Sequence, residues 1–233
     1  MSLLSLVQDA MVLCGFSEPT TVYSNPDSVV KHFLRLSQIE GDALARRADW
    51  RGLKVLGTLT GDGSSTDFSL PVDFSKFADG YPMWKDGAPS TPLLKASDDQ
   101  FLAMKVAASQ PTIPYWRLFG ESIEFYPVPP SGDVYKLEYR SRYWVSDETA
   151  ATRRRRWAAD TDFAVIPEEL MTLGLVWRYK SSKGFDYAED YRTYQLEVAK
   201  FASVDDGRQT LTARANFAGD YFSGRASDAV VIP

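Results

Sequence analysis

The sequence predicts an α+β protein, in which an α-helical bundle core holds an inserted antiparallel β module and continues into an extended C-terminal tail. Three observations support this fold class. Apolar residues recur at helical spacing near both ends of the chain, the period drops towards two between Leu53 and Val145, and the regular pattern stops at Gly207. The predicted domains are residues 1–50 with 160–206 for the helical core, 51–159 for the β-rich module and 207–233 for the C-terminal arm.

The N-terminal part predicts two helices. A short helix spans Ser2–Cys14 and ends at Gly15, a residue that is favoured just after a helix C-terminus. The second helix is predicted to begin with Asn25 as its N-cap and Pro26 in its first position, and to run to about Asp49.

Glu40 lies within the apolar stripe of this second helix. A charge on an apolar face needs a partner, so we expect an arginine from a neighbouring helix to pair with it. Arg47 lies one heptad later on the same face. The residues predicted to form the helical core are Glu40, Arg47, Trp50, Trp177, Tyr187, Tyr191 and Tyr194.

The middle of the chain predicts short strands. Leu53–Val55 and Thr66–Pro71 are separated by an Asp62-Gly63 turn signal, and the segments Trp116–Phe119 and Ile123–Tyr126 flank a tight hairpin turn at Gly120-Glu121. Residues 134–145 alternate best, with Tyr135, Leu137, Tyr139 and Tyr143 on one face and Lys136, Glu138, Arg140 and Arg142 on the other. A helix capped by Ser97 is expected to run to Ala107.

Helical spacing returns near Pro167. Gly174 would allow two helices to approach closely, and Gly184 is expected to end this helix. The next helix is predicted to start at Asp186 with Glu189 in a capping box, which makes the pair an antiparallel hairpin.

The segment 207–233 is rich in Ala, Gly, Ser and Asp and has few apolar residues. Alone it would bury too little to order itself. Two interpretations remain open: it lies along a partner surface, or it is tied back onto its own domain. Under the first, its anchors at that partner or subunit interface are Phe217, Tyr221, Phe222, Val230, Val231 and Ile232.

Composition excludes several classes of protein. The net charge of −5 and the pI of about 5.0 argue against a broad nucleic-acid grip. A single cysteine and a single histidine allow no disulfide within the chain, and they argue strongly against a metal site of the Cys/His type. No signal peptide and no membrane span are expected.

No catalytic constellation is recognisable, so we expect a protein that is not an enzyme and needs no cofactor. Acidic pairs such as Glu168-Glu169 and Asp98-Asp99 suit the first turns of helices. The run Arg153-Arg154-Arg155-Arg156 has two interpretations: a contact with DNA or with an acidic partner, or a solvated loop.

Two stretches resemble the head-to-tail adaptor family of tailed bacteriophages. They are Glu40–Trp50 and, more specifically, Leu173–Lys180 continuing through Lys183–Tyr194. Leu70–Phe74 with Trp84, and Glu138–Val145, also look like the β module of that family. The resemblance covers about Ser2 to Ala202. It does not include the arginine run or the C-terminal arm.

The resemblance implies a virion protein at the head-tail junction, made in the host cytoplasm. Such subunits form a ring under the dodecameric portal, prolong the DNA channel and give the tail or nozzle proteins a platform. The implied partners are the portal protein, copies of the chain itself in a ring that would be dodecameric, and genomic DNA that passes without sequence-specific binding. No membrane partner is expected.

Other functions remain as alternatives. One alternative is a head-completion plug or a tail terminator of the same particle, a role that the sequence separates poorly from that of an adaptor. A peptidoglycan hydrolase associated with the tail would need two carboxylates held across a sugar cleft, and nothing in the sequence marks such a pair. A DNA-binding regulator is disfavoured by the acidic balance.

Overall fold

The computed structural model describes residues 2–80, 82–87, 92–107, 111–112 and 114–205. Within these residues the helices are α1 (Leu3–Leu13), α2 (Ser28–Arg47), α3 (Asp98–Val106), α4 (Glu168–Lys183) and α5 (Ala188–Asp205). The strands are β1 (Lys54–Thr60), β2 (Asp67–Ser69), β3 (Phe74–Phe77), β4 (Met83–Lys85), β5 (Leu94–Lys95), β6 (Tyr115–Phe119), β7 (Ser122–Tyr126), β8 (Val134–Ser141), β9 (Val145–Ser146), β10 (Arg153–Arg154) and β11 (Phe163–Ala164). The predicted α+β class is confirmed.

The start of α2 differs from the prediction. Its N-cap is Asp27, whose Oδ1 accepts from the backbone N–H of Val29 at 2.6 Å. Asn25 instead accepts from the Asp27 N–H at 2.9 Å, so its side chain closes a turn before the helix and Pro26 lies outside it. The helix therefore begins two residues later than predicted, because the Asp27 carboxylate and not the Asn25 amide accepts from its first N–H groups.

The other helix ends are closer to expectation. Ser2 caps α1, and Ser97 with Gln100 forms a capping box on α3. Gly184 ends α4 in the left-handed conformation at φ +73°, as predicted. The following helix begins at Ala188, two residues later than predicted. The Ala188 backbone N–H donates to the Asp186 carboxylate at 3.1 Å.

The strands form three sheets. The first has the order β1-β8-β3, with β4 also pairing with β8; the second is β2-β7-β6-β5 and the third is β10-β9-β11. The β6–β7 hairpin around Gly120 is confirmed. The antiparallel prediction needs one correction, because β5 and β6 pair in parallel. The Asp62-Gly63 turn connects β1 and β2, which belong to different sheets.

The predicted alternation holds along β8 and ends at Ser141. Tyr135, Leu137 and Tyr139 are buried in one core, as expected. Beyond the strand, Trp144 is fully buried while Tyr143 is only partly covered. The register is lost because the chain leaves this sheet after Ser141 and enters the small sheet at β9.

Two hydrophobic cores divide the described residues. The first joins α1, α2, α4 and α5 with Trp50, Leu53 and residues from the 144–166 segment; we call this unit the helical body. The second lies among β1–β8, and with α3 it forms the β module. Residues 144–159, which the sequence assigned to the β-rich module, therefore contribute Trp144, Val145 and Trp157 to the core of the helical body.

Candidate functional site

A fully buried carboxylate lies at the centre of the helical body. Glu40 of α2 accepts hydrogen bonds from the Arg178 Nε of α4 and from the Tyr194 hydroxyl of α5, the latter at 2.6 Å. Arg178 is the arginine partner that the sequence led us to expect. One carboxylate thus links three helices whose residues are far apart in the sequence.

Gly174 makes this contact possible. A Cβ atom built on Gly174 would overlap the carboxylate of Glu40, so only glycine lets α2 and α4 come this close. Burial, followed by the charge of Glu40 and its hydrogen bond, raises the pKa of Tyr194 well above its usual range. The phenol therefore stays protonated as the donor to Glu40.

Arg47 completes this polar cluster from its edge. Its guanidinium carbon lies 5.3 Å from the centroid of the Tyr194 ring, and its Nη2 donates to the Gln195 side chain. Arg47 itself is exposed, so it covers Tyr194 instead of pairing with Glu40.

Aromatic side chains continue outward from Tyr194 to the surface. The Trp177 ring lies 4.9 Å from Tyr191 and 6.3 Å from Tyr187, measured between centroids. Tyr187 and Tyr191 are 41% and 39% exposed, and Phe185 in the α4–α5 link is 60% exposed. Phe185, Tyr187 and Tyr191 are called the aromatic surface below.

This placement differs from the predicted core. Tyr194 and Val198 are buried on the face of α5 towards the other helices, whereas Tyr187 precedes α5 and Tyr191 lies in its first turn. These two side chains lie at the hairpin end of the α4–α5 pair, where they pack against Trp177. Helical spacing gave the correct face of the helix, but it gave no information on how far the neighbouring helices extend.

Trp50 couples the helical body to the β module. Its indole N–H donates to the Leu44 carbonyl at 2.7 Å, and its own carbonyl accepts from Arg140 at 3.1 Å. Lys76 of β3 forms an ion pair with Asp49 at 2.6 Å. Arg140 lies on the face of β8 opposite the tyrosines, as predicted, and it is only 7% exposed because Asp49 and Trp50, just after α2, contact it there.

The arginine run is mostly engaged within the chain. Arg153 and Arg154 form the short strand β10, so these two residues are not in a loop, although Arg153 is exposed as the solvated interpretation expects. Arg153 donates to the Gly52 carbonyl at 2.8 Å, Arg154 lies 3.3 Å from Asp162, and Arg155 lies 3.4 Å from Asp42. Arg156 is exposed. A contact of this run with DNA or a partner stays a prediction.

A positively charged cleft was not foreseen. A cavity of about 250 Å³ between α2 and β3 is lined by Arg46, Arg142 and Arg155 together with Asp42 and Phe74. The three arginines come from distant parts of the chain, so no local sequence signal marks them. The run at residues 153–156 was the only part of this cluster visible as a pattern.

Neither a metal site nor a membrane span is found in the described part of the chain. No group of acidic, histidine or cysteine side chains there could hold a metal ion. None of the helices described combines the length and apolar character needed to cross a bilayer. The predicted interface residues Phe217, Tyr221, Phe222, Val230, Val231 and Ile232 lie outside the described residues.

Comparison with known families assigns the chain. No curated protein matches it. The family model described as SU10 adaptor protein matches residues 1–224, which includes both cores and most of the C-terminal arm. This agrees with the resemblance carried by Glu40–Trp50 and Leu173–Tyr194, and it also extends over the arginine run. The chain therefore belongs to the SU10 adaptor protein family and is a structural adaptor of a phage particle.

Proposed function

We propose that this adaptor forms a dodecameric ring beneath the portal, prolongs the DNA channel and provides the attachment platform for the tail or its nozzle. The helical bundle core would form the ring, with the β module inserted in it and the C-terminal arm, residues 207–233, reaching the portal or a neighbouring subunit. The role is structural, without catalysis or a cofactor.

The observation that carries this proposal is the aromatic surface. Phe185, Tyr187 and Tyr191 expose large apolar rings at one end of the helical body. Aromatic residues are enriched at protein interfaces, where they contribute most of the binding energy. In a closed ring each subunit offers one patch to a different patch on its neighbour, so a single such surface per chain suffices.

The buried polar cluster supports the same role. A binding surface is most effective when it is held rigidly, because little conformational entropy is then lost on association. Trp177 lies between the aromatic surface and Tyr194, and Tyr194 is fixed by Glu40. The surface is therefore supported from beneath by the most constrained part of the helical body.

The charge balance suits a channel through which DNA slides. The chain carries a net charge of −5, and three of the four arginines in the 153–156 run already contact other parts of the chain. An acidic lumen repels phosphates and would not retain the genome. We therefore expect DNA to pass without sequence-specific binding.

The test is the native mass of the purified chain, alone and mixed with its portal ring. We expect the adaptor to add to the portal in the copy number of the portal. A chain that ignores the portal would contradict the proposal and favour a plug or terminator role elsewhere in the particle.

A matched pair of variants locates the contact. Phe185→Ser removes an aromatic ring that is 60% exposed in the helical body, and Phe119→Ser removes one that is 59% exposed in the β module. Because a weaker contact between neighbouring subunits destabilises the ring on the portal, we expect Phe185→Ser to lower the occupancy of the portal complex at least about tenfold, as for an interface hot spot. Phe119→Ser should bind like the wild type. Equal effects of the two variants would show that the aromatic surface is not the contact.

A further inference from the structure

The free edge of β1 is the longest unpaired strand edge in the described chain. β1 pairs with β8 along all its residues, Lys54 to Thr60, and is the terminal strand of its sheet. In an antiparallel ladder, alternate residues direct their N–H and C=O groups away from the partner strand. A row of such groups is therefore open along the outer side of β1, and it can accept another strand.

The other sheet edges are protected in ways that β1 is not. The terminal strands β2, β5, β10 and β11 have two or three residues each. β3 is also short and carries Lys76, and β2 carries Asp67. In β1 the six residues after Lys54 contain neither a charge nor a proline, although these are the usual devices that keep an edge from pairing.

Apolar side chains next to this edge are incompletely covered. Val55 is only partly buried although it packs against the core of the β module, and Leu56 on the other face is 67% exposed. At Gly57 a Cβ atom would lie 3.1 Å from the Tyr139 ring and 3.3 Å from Leu137, so these two β8 side chains lie across the glycine. Apolar side chains on an added strand would extend this layer.

The last residue that the structure describes, Asp205, lies close to the start of this edge. The Asp205 carboxylate at the end of α5 accepts from the Arg51 N–H at 2.6 Å. Arg51 precedes the first residue of β1 by three positions, a distance of at most about 10 Å. The four residues 206–209 can span about 13 Å when extended, which is enough to bring the following residues alongside Lys54.

The sequence of that segment has the period of a strand. From Thr210 to Phe217 the apolar residues Leu211, Ala213, Ala215 and Phe217 alternate with Thr210, Thr212, Arg214 and Asn216. Alternation over this length is typical of a strand with one buried face. Its length matches that of β1, and it contains no proline.

We propose that Thr210–Phe217 pairs with the free edge of β1 in its own chain, as a parallel fifth strand of the first sheet. The direction follows from the Asp205–Arg51 contact, which places the start of the segment beside the start of β1. The apolar side chains of this strand would then lie on the same face of the sheet as Val55 and Leu59. They are those of Leu211, Ala213, Ala215 and Phe217. The pairing is independent of the portal, and it leaves the anchors from Tyr221 onward free for a partner.

Hydrogen–deuterium exchange of the β1 amides tests this pairing in the isolated chain. Three proteins are compared: the full chain, a chain that ends at Phe217, and a chain that ends at Asp205. We expect the outward-facing amides of Lys54–Thr60 to exchange at least about tenfold more slowly in the first two than in the third, because paired amides exchange only on local opening. Equal, fast exchange in all three would overturn the proposal.

A proline pair gives the matched control. Ala215→Pro removes an N–H within the proposed strand, whereas Ala226→Pro makes the same change beyond it. Only Ala215→Pro should accelerate β1 exchange. The measurement is repeated over a range of protein concentrations. Protection that appears only as copies associate would overturn pairing within one chain and assign the edge to a neighbouring copy.

Discussion

The helical body and the β module differ in where they place their charges and in how the chain builds them. The helical body is assembled from both ends of the described sequence, and it encloses the Glu40 carboxylate with donors from α4 and α5. The β module is formed by one continuous stretch, and pairs such as Lys54–Glu138 and Lys136–Asp86 lie at its surface. Single changes should therefore be costly in the first unit and mostly tolerated in the second.

Removal of the buried carboxylate should have the largest effect. Glu40→Ala leaves the Arg178 guanidinium without its carboxylate and removes the buried acceptor of the Tyr194 hydroxyl. Breaking a buried ion pair by deleting one member costs about 3–5 kcal/mol. Urea unfolding followed by circular dichroism should show this loss.

Glu138→Ala is the control for this change, because it deletes one member of an ion pair that is 44% exposed on both sides. Exposed pairs contribute about 0–1 kcal/mol. Similar losses of unfolding free energy in the two variants would contradict the view that charges are more important to stability in the helical body than in the β module.

Adding a methyl group at Gly174 should cause the next largest loss in the free energy of unfolding. In Gly174→Ala the new methyl group overlaps the Glu40 carboxylate, so α2 and α4 must move apart or the Arg178 contact must break. Overpacking of this kind costs about 1–3 kcal/mol. Gly184→Ala is the comparison: its Cβ meets no neighbour, and only the left-handed backbone at φ +73° is penalised, by about 1 kcal/mol. An equal or smaller loss for Gly174→Ala would contradict the close approach of the helices.

Neutralising a buried charge of the β module, that of Glu124, should reduce the free energy of unfolding the least of the three changes. Burial alone would raise the pKa of Glu124, but the hydrogen bonds and charges of Lys105 and Arg117 outweigh it, so that the pKa is lowered from 4.5. The ionised group therefore stabilises the fold above about pH 4.5, and this contribution is lost as the pH falls through the lowered pKa.

Glu124→Gln removes this contribution. We expect a loss of about 1–2 kcal/mol at pH 7 from the weakened hydrogen bonds. The difference from wild type should narrow below pH 4.5, as measured by urea unfolding at a series of pH values. A difference that is constant down to pH 3 would show that the charge of Glu124 does not stabilise the module.

Local patterns in the sequence were sufficient for much of the fold. The glycine that ends α4, the Ser97 cap and the hairpin at Gly120 each depend on residues within one turn. The need of Glu40 for an arginine also followed from the sequence, because a charge within an apolar stripe must be compensated. Which arginine it would be did not follow, since Arg178 is 138 positions away.

The errors have a common physical cause, which is that exposure depends on distant segments. Arg140 alternates correctly with its neighbours along β8, yet the segment that follows α2 covers it through Asp49 and Trp50. Tyr187 and Tyr191 have the spacing of core residues but lie where no further helix reaches them. Likewise, Arg46, Arg142 and Arg155 line one cleft only because folding brings three separate segments together.

The N-terminus of α1 has a consequence for the order of folding during synthesis. The backbone N–H groups of Leu3 and Leu4 donate to the carbonyls of Asp162 and Asp160, at 2.7 and 3.1 Å. Helix α1 therefore has to wait for a loop that is synthesised about 160 residues later before the N–H groups of its first turn have their acceptors. The ladders among β1–β8 need nothing beyond Ser141, so this part of the β module can fold earlier, while the helical body closes around an already folded insert.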